Sequence, residues 1–123
     1  MIEFYIVGGY IKLDKKVFVQ EMLSKDSRLR ILLNYKAATD FASIHPTISQ
    51  PDENNVLTID FCNGTYACLG ETPKELLAAL KLKYGGKLRG KVACRGEYSM
   101  FGGIFSFEID LDSDSKDVLF SNM

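Results

Sequence analysis

The sequence predicts an α+β domain, an antiparallel sheet made of three β-hairpins with two or three helices packed on one face. Three observations predict it. Asn63-Gly64, the preferred pair for a tight type I′ turn, stands between two runs of strand-forming residues. Thr72-Pro73-Lys74-Glu75 combines an N-cap threonine, a proline at the first helical position and a glutamate placed to close a capping box. The first thirteen residues alternate apolar and polar on either side of Gly8-Gly9.

The N-terminal segment reads as the first hairpin. With Gly8-Gly9 as its turn, Phe4, Ile6, Ile11 and Leu13 share one face, and Glu3, Tyr5 and Lys12 the other. Asp14 then caps a short helix ending near Ser24, whose Val19, Met22 and Leu23 form an inward stripe. Residues 28–35 fit both periods, since Leu29, Ile31, Leu33 and Tyr35 alternate like a strand while Leu29, Leu32, Leu33 and Ala37 repeat like a helix. Helix is the reading adopted. Residues 42–55 carry two prolines and many polar turn formers, so they read as a surface loop.

In the second hairpin, pairing Cys62 with Thr65 puts Leu57, Ile59, Phe61, Tyr66 and Cys68 on one face. Cys62 and Cys68 then point to opposite sides, which excludes a disulfide between them. The helix opened by Thr72 buries Leu76, Leu77, Leu80 and Tyr84, and Gly85 suits its left-handed C-terminal cap. A last hairpin spans Lys87 to Asp112, with its bend at residues 96–100 and a bulge at Gly102-Gly103. Leu88, Val92 and Cys94 face inward on its first strand, and Phe105, Phe107, Ile109 and Leu111 on its second. The tail from about residue 113 is polar and frays until Val118-Leu119-Phe120, which fold back on the core.

A chain of 123 residues with 46% hydrophobic side chains forms one domain, residues 1–123. Its formal net charge of -1 supplies no overall field toward nucleic acid or an anionic membrane. Met1-Ile2-Glu3-Phe4 carries no basic leader and no apolar run nears the ~20 residues of a membrane span, so a cytoplasmic protein is expected. Three cysteines without CxxC spacing read as reduced thiols.

Chemistry-bearing patterns are sparse. His45 is the single histidine and reads as an exposed loop residue, and the one outward cysteine, Cys62, has Asp60 beside it, which opposes a thiolate. Asp110-x-Asp112-x-Asp114 imitates the start of a calcium loop but has Ser115 at the glycine position and Ser121 at the glutamate position. No phosphate-cradling glycine motif occurs. No catalytic residue, metal ligand or cofactor is therefore assigned, and an enzyme or a small-molecule-binding domain is the least supported class.

Charge is segregated along the C-terminal half. Residues 81–95 hold Lys81, Lys83, Lys87, Arg89, Lys91 and Arg95 without an acid, whereas 96–123 hold six acids and one lysine. With Tyr84 placed to stack on a base, this basic hairpin is the alternative, nucleic-acid-binding reading. Against it, Arg89, Lys91 and Arg95 face outward opposite Glu108 and Asp110, a pattern of cross-strand neutralisation. The first reading is a small non-enzymatic protein-binding module that docks on an unidentified partner protein through Tyr98 and Phe101, with Tyr5 and Tyr10 as further exposed aromatics. Inhibitor, immunity and phage-type accessory proteins are of this size and character. An exposed edge strand would also permit a homodimer by sheet extension.

Overall fold

The computed structural model describes residues 2–25, 27–33, 46–61, 66–67, 71–98, 100, 102–116 and 118–122. Its elements are β1 (Ile2–Asp14), α1 (Lys15–Leu23), α2 (Arg28–Leu33), β2 (Thr47–Ile48), β3 (Val56–Asp60), β4 (Tyr66–Ala67), α3 (Pro73–Tyr84), a single 3₁₀ turn (Gly85–Lys87), β5 (Leu88–Tyr98), β6 (Ile104–Asp110) and β7 (Leu119–Asn122). All described strand pairs are antiparallel, in the order β2-β3-β1-β5-β6-β7, with β4 also on β1. The helices pack on one side, as the sequence predicts.

The first expected hairpin is instead one continuous strand. Phe4 and Ile6 have even numbers while Ile11 and Leu13 have odd ones, so placing all four on one face requires a change of parity. A tight turn would supply it; the structure supplies it with a bulge, where the pairing of β1 with β5 steps from Ile6/Cys94 to Gly8/Ala93. Gly9 then lies at φ +92, so close to β5 that a Cβ there would fall 2.2 Å from the Lys91 carbonyl oxygen. The diglycine is a site of close strand approach.

The second expected hairpin is also corrected. β3 pairs with Tyr10–Asp14 and β4 with Tyr5–Ile6, both antiparallel to β1 and along the same edge, so the chain continues past β1 without folding back on β3. The Asn63-Gly64 turn itself, with Cys62 and Cys68, lies outside the described residues, as do His45 and the 34–45 part of the ambiguous segment and loop. Leu57, Ile59 and Phe61 nevertheless face inward as expected.

The third hairpin stands, with Cys94 opposite Phe107 and Val92 opposite Ile109. Its bend is displaced from 96–100: β5 runs on to Tyr98, and the turn is closed by Tyr98 N–H to Gly103 O and Gly102 N–H to Tyr98 O. Gly102, at φ +66, belongs to that turn. Beyond β6 the chain returns as β7, pairing Phe120 with Ile109, so the tail is strand where fraying was expected to give way only to a fold-back.

α3 forms as read, with both bonds of the Thr72/Glu75 capping box and Pro73 at its start; Gly85 follows its end at φ 57 but with ψ -132, which is not the left-handed cap expected there. Leu76, Leu77 and Leu80 are buried against Ile6, Ile11, Leu13, Ile59, Leu88, Val92, Phe107 and Ile109 of the sheet. α2 brings Leu29, Leu32 and Leu33 into the same core. α1 is capped by Asp14, which accepts from Lys16 N–H at 2.8 Å, but its expected stripe is wrong. Val17 and Glu21 point inward, Met22 is half-buried, and Val19 and Leu23 are exposed.

Candidate partner-binding surface

A run of aromatic rings lines the inner face of the sheet, from the β5–β6 turn beside the start of β1 to β7, which lies level with Phe107–Asp110. Alternation puts Tyr98, Phe105, Phe107, Phe120 and Phe4 on the inner face. Their rings form a run: Tyr98 to Phe105 at 5.7 Å between centroids, Phe105 to Phe107 at 5.9 Å, and Phe107 to Phe120 at 5.0 Å. Phe4 meets Phe105 and Phe107 edge-on at 6.2 and 6.1 Å. Gly96 makes this possible, because a Cβ there would lie 2.2 Å from the Phe105 ring that covers it. Backbone without a side chain is replaced by an aromatic face.

Phe107 is buried, whereas Tyr98 is 44% exposed, Phe120 46% and Met100 80%. Ile2 lies beside Tyr98, and Ile104 is exposed next to them on the opposite sheet face, while Leu119 is exposed on that face at the other end of β6. The Lys74 ammonium sits 4.5 Å from the Phe120 centroid. The result is an apolar surface rich in aromatic rings on a strand framework, with Lys74 at its border.

Of the four aromatics singled out in the sequence, Tyr98 is part of this surface and Phe101 lies outside the described residues. Tyr5 and Tyr10 are on the opposite face of the sheet. Tyr5 is only 8% exposed, donates its hydroxyl to Glu3 Oε2 at 2.5 Å and has the Arg95 guanidinium 5.2 Å from its ring. The hydrogen bond to Glu3 and burial push its pKa up to about 12. Tyr10 is half-buried, with Lys12 5.8 Å from its ring centre. Phe4 and Phe105 were missed because alternation marks them simply as inward, and Phe120 because it was read only as part of a fold-back of the tail; the available signal was the pair of inward aromatics, Phe105 and Phe107, beside the bend of the last hairpin.

The basic segment does not assemble into one surface. Lys81, read as a surface cation, is fully buried and donates to the carbonyls of Leu88, Leu111 and Ser113 at 2.6, 2.8 and 2.6 Å, while burial lowers its pKa. It clamps α3 to the start of β5 and the end of β6. Lys83 lies 3.0 Å from Glu21, and Tyr84 donates its hydroxyl to the same carboxylate. Burial opposes the Glu21 charge, but the hydrogen bonds from Tyr84 and Lys83 outweigh it and hold this pKa below the usual value. Arg89 pairs with Asp114, and Lys91 stands opposite Asp110. Arg95 Nε is 3.0 Å from Glu97 Oε1 as an ion pair, although its N–H is not aimed along a hydrogen bond. On the outer face Lys12, Arg89, Lys91 and Arg95 are thus interspersed with Glu3, Asp14, Asp60, Glu97, Glu108 and Asp110. Lys87 is exposed on the 3₁₀ turn.

The Asp110-x-Asp112-x-Asp114 run is spent on local structure: Asp110 accepts from Asp112 N–H, Asp112 from Gly90 N–H, and Asp114 holds Arg89. Among the described residues no three His, Cys, Asp or Glu side chains gather as metal ligands, and no described helix is long and apolar enough to cross a membrane. Comparison with family models, curated proteins and solved structures finds no match for this chain.

Proposed function

We propose that this protein is a binding module that docks an apolar segment of a partner protein along the aromatic run of its sheet, from Tyr98 to Phe120. The observation that carries the reading is the continuous ring contact from Tyr98 through Phe105 and Phe107 to Phe120, whose two ends are about half exposed. Rigid aromatics anchored in a core and open at the rim are the side chains that dominate protein interfaces, because they bury large area at little entropic cost. Lys74 and the neighbouring polar strand residues supply the wetter margin such a surface needs. The nucleic-acid alternative draws little support from a basic segment in which five of the six cations are buried, paired or set opposite acids and only Lys87 stands exposed without such a partner among the described residues.

The test is affinity capture on the tagged protein from source-cell extract treated with nuclease, run beside a Tyr98→Ala/Phe120→Ala variant. A stoichiometric protein partner should be retained by the wild type and reduced at least about tenfold by the variant, as for loss of two anchoring rings. Equal recovery on a variant with unchanged melting would refute the assignment of this surface. Retention only of nucleic acid without nuclease, lost at high salt, would replace it with the alternative.

A further inference from the structure

The strongest anomaly elsewhere in the molecule is the rotation of α1. Its sequence offers Val19, Met22 and Leu23 for burial and Glu21 for solvent, yet Glu21 is 3% exposed while Val19 is 45% and Leu23 79% exposed. This orientation is held by named bonds. Glu21 accepts from Lys83 Nζ at 3.0 Å and from the Tyr84 hydroxyl, both on α3. At the helix end, Arg30 Nη2 donates to Met22 O at 2.5 Å and also to Ser24 O. The apolar stripe is therefore turned outward by buried polar contacts and is not the result of a loosely held helix.

The outward surface has a defined shape and charge. Lys15, Val19 and Leu23 follow at i, i+4 and i+8, so they stack along one face, and Lys16 and Gln20 form the adjoining row. Together they line a shallow groove of about 450 Å³. Both ionisable side chains lining it are cations, and neither forms an ion pair among the described residues. Asp14, the acid that precedes them in sequence, accepts from Lys16 N–H as the cap of the helix itself.

We propose that this face of α1, Lys15, Lys16, Val19, Gln20 and Leu23, is a second docking site, built for an amphipathic helix of a partner protein whose apolar stripe is flanked by aspartate or glutamate. A helix laid in the groove covers Val19 and Leu23 with its own i, i+4 anchors, and its acids meet Lys15 and Lys16. A lipid bilayer fits less well, since the stripe is short and carries no aromatic side chain to anchor in the headgroup region. The site shares no residue with the aromatic run from Tyr98 to Phe120, so the two surfaces let one small domain join two partners.

The probes are two synthetic helical peptides with the same leucine stripe, one flanked by glutamates and the other by lysines, titrated into the full protein labelled at its methyl groups. The acidic peptide should shift the Val19 and Leu23 methyl resonances and bind at least about tenfold more tightly than the basic one, with a preference that fades at high salt. Lys15→Glu/Lys16→Glu should reverse the preference, Leu23→Glu should abolish binding without lowering the melting temperature, and Tyr98→Ala/Phe120→Ala should change neither. Absence of methyl shifts, equal affinity for both peptides, or shifts caused only by phosphatidylserine vesicles overturns the proposal.

Discussion

α1 and α3 lie on the same face of the same sheet, yet they obtain their orientation in different ways. α3 is set by its leucines: Leu76, Leu77 and Leu80 face the strands, and the capping box fixes where the helix begins. α1 buries Val17 and the carboxylate of Glu21, and leaves Val19 and Leu23 outside. One helix is oriented by area removed from water, the other by a polar contact with its neighbour. Each also contributes a buried ion, Lys81 to the strand carbonyls and Glu21 to the end of α3, so the helical layer is pinned to the sheet on one side and to itself on the other.

The largest test of this contrast is on the leucine side. Leu77 is fully buried in the middle of α3, so Leu77→Ala removes packed methyl groups and leaves a cavity beneath the helix. The expected loss is about 3 kcal/mol in urea unfolding, of the size measured for leucine truncation in well-packed cores. A loss under about 1 kcal/mol would mean that α3 is held by its ends and by Lys81 more than by its stripe.

The polar side should give the next largest effect. Glu21→Gln keeps the shape of the side chain but removes the charge that Tyr84 and Lys83 hold, for an expected loss of about 2 kcal/mol at neutral pH. Most of that belongs to Tyr84, because the Lys83 ammonium is more than half exposed and its attraction is screened. The sign with pH follows from the lowered pKa. The folded state holds the Glu21 carboxylate charged below its ordinary pKa of 4.5, so its contribution is full above that value and is lost as pH falls through the folded one. Acid unfolding curves of wild type and Glu21→Gln should therefore converge at low pH; a constant gap would assign the effect to packing.

The same contrast explains what could be read from the amino-acid order. α3 was legible because its start, its stripe and its stop are local signals that tertiary contacts did not override. The inward residues of β5 and β6 were legible for the same reason, since period-two alternation survives whatever lies opposite. Gly8-Gly9 was misread because a turn and a bulge both change parity, and only the presence of β5 beside Gly9 decides between them. Glu21 went unremarked and Lys81 was read as a surface cation because a lone acid or lysine in a helix is normally solvated, and the partners that bury them stand 62 and 63 residues away for Glu21 and 30 and 32 for two of the Lys81 acceptors. Of the binding surface, Tyr98 could be named in advance, Phe4 and Phe105 could be read only as inward, and Phe120 joined them only once β7 was placed beside β6.

The smallest expected effect is the most diagnostic. If Leu23 belonged to the core, as its spacing from Val19 and its hydrophobicity suggest, Leu23→Ser would cost as much as Leu77→Ala. At 79% exposure it has almost no buried area to lose, so the change in stability should stay within about 0.5 kcal/mol, and removal of an exposed apolar group should raise solubility. Combined with Glu21→Gln, the expectation separates two causes of the rotation. With the carboxylate neutral, α1 is freer to turn its stripe toward the sheet, and Leu23 gains contacts that Leu23→Ser then removes. The double variant should lose more than the sum of the two single ones, by about 0.5 to 1 kcal/mol in a double-mutant cycle. Strict additivity would show that the Asp14 cap and the Arg30 contacts at the other end suffice to hold α1 in place, and that Glu21 follows the orientation of the helix instead of setting it.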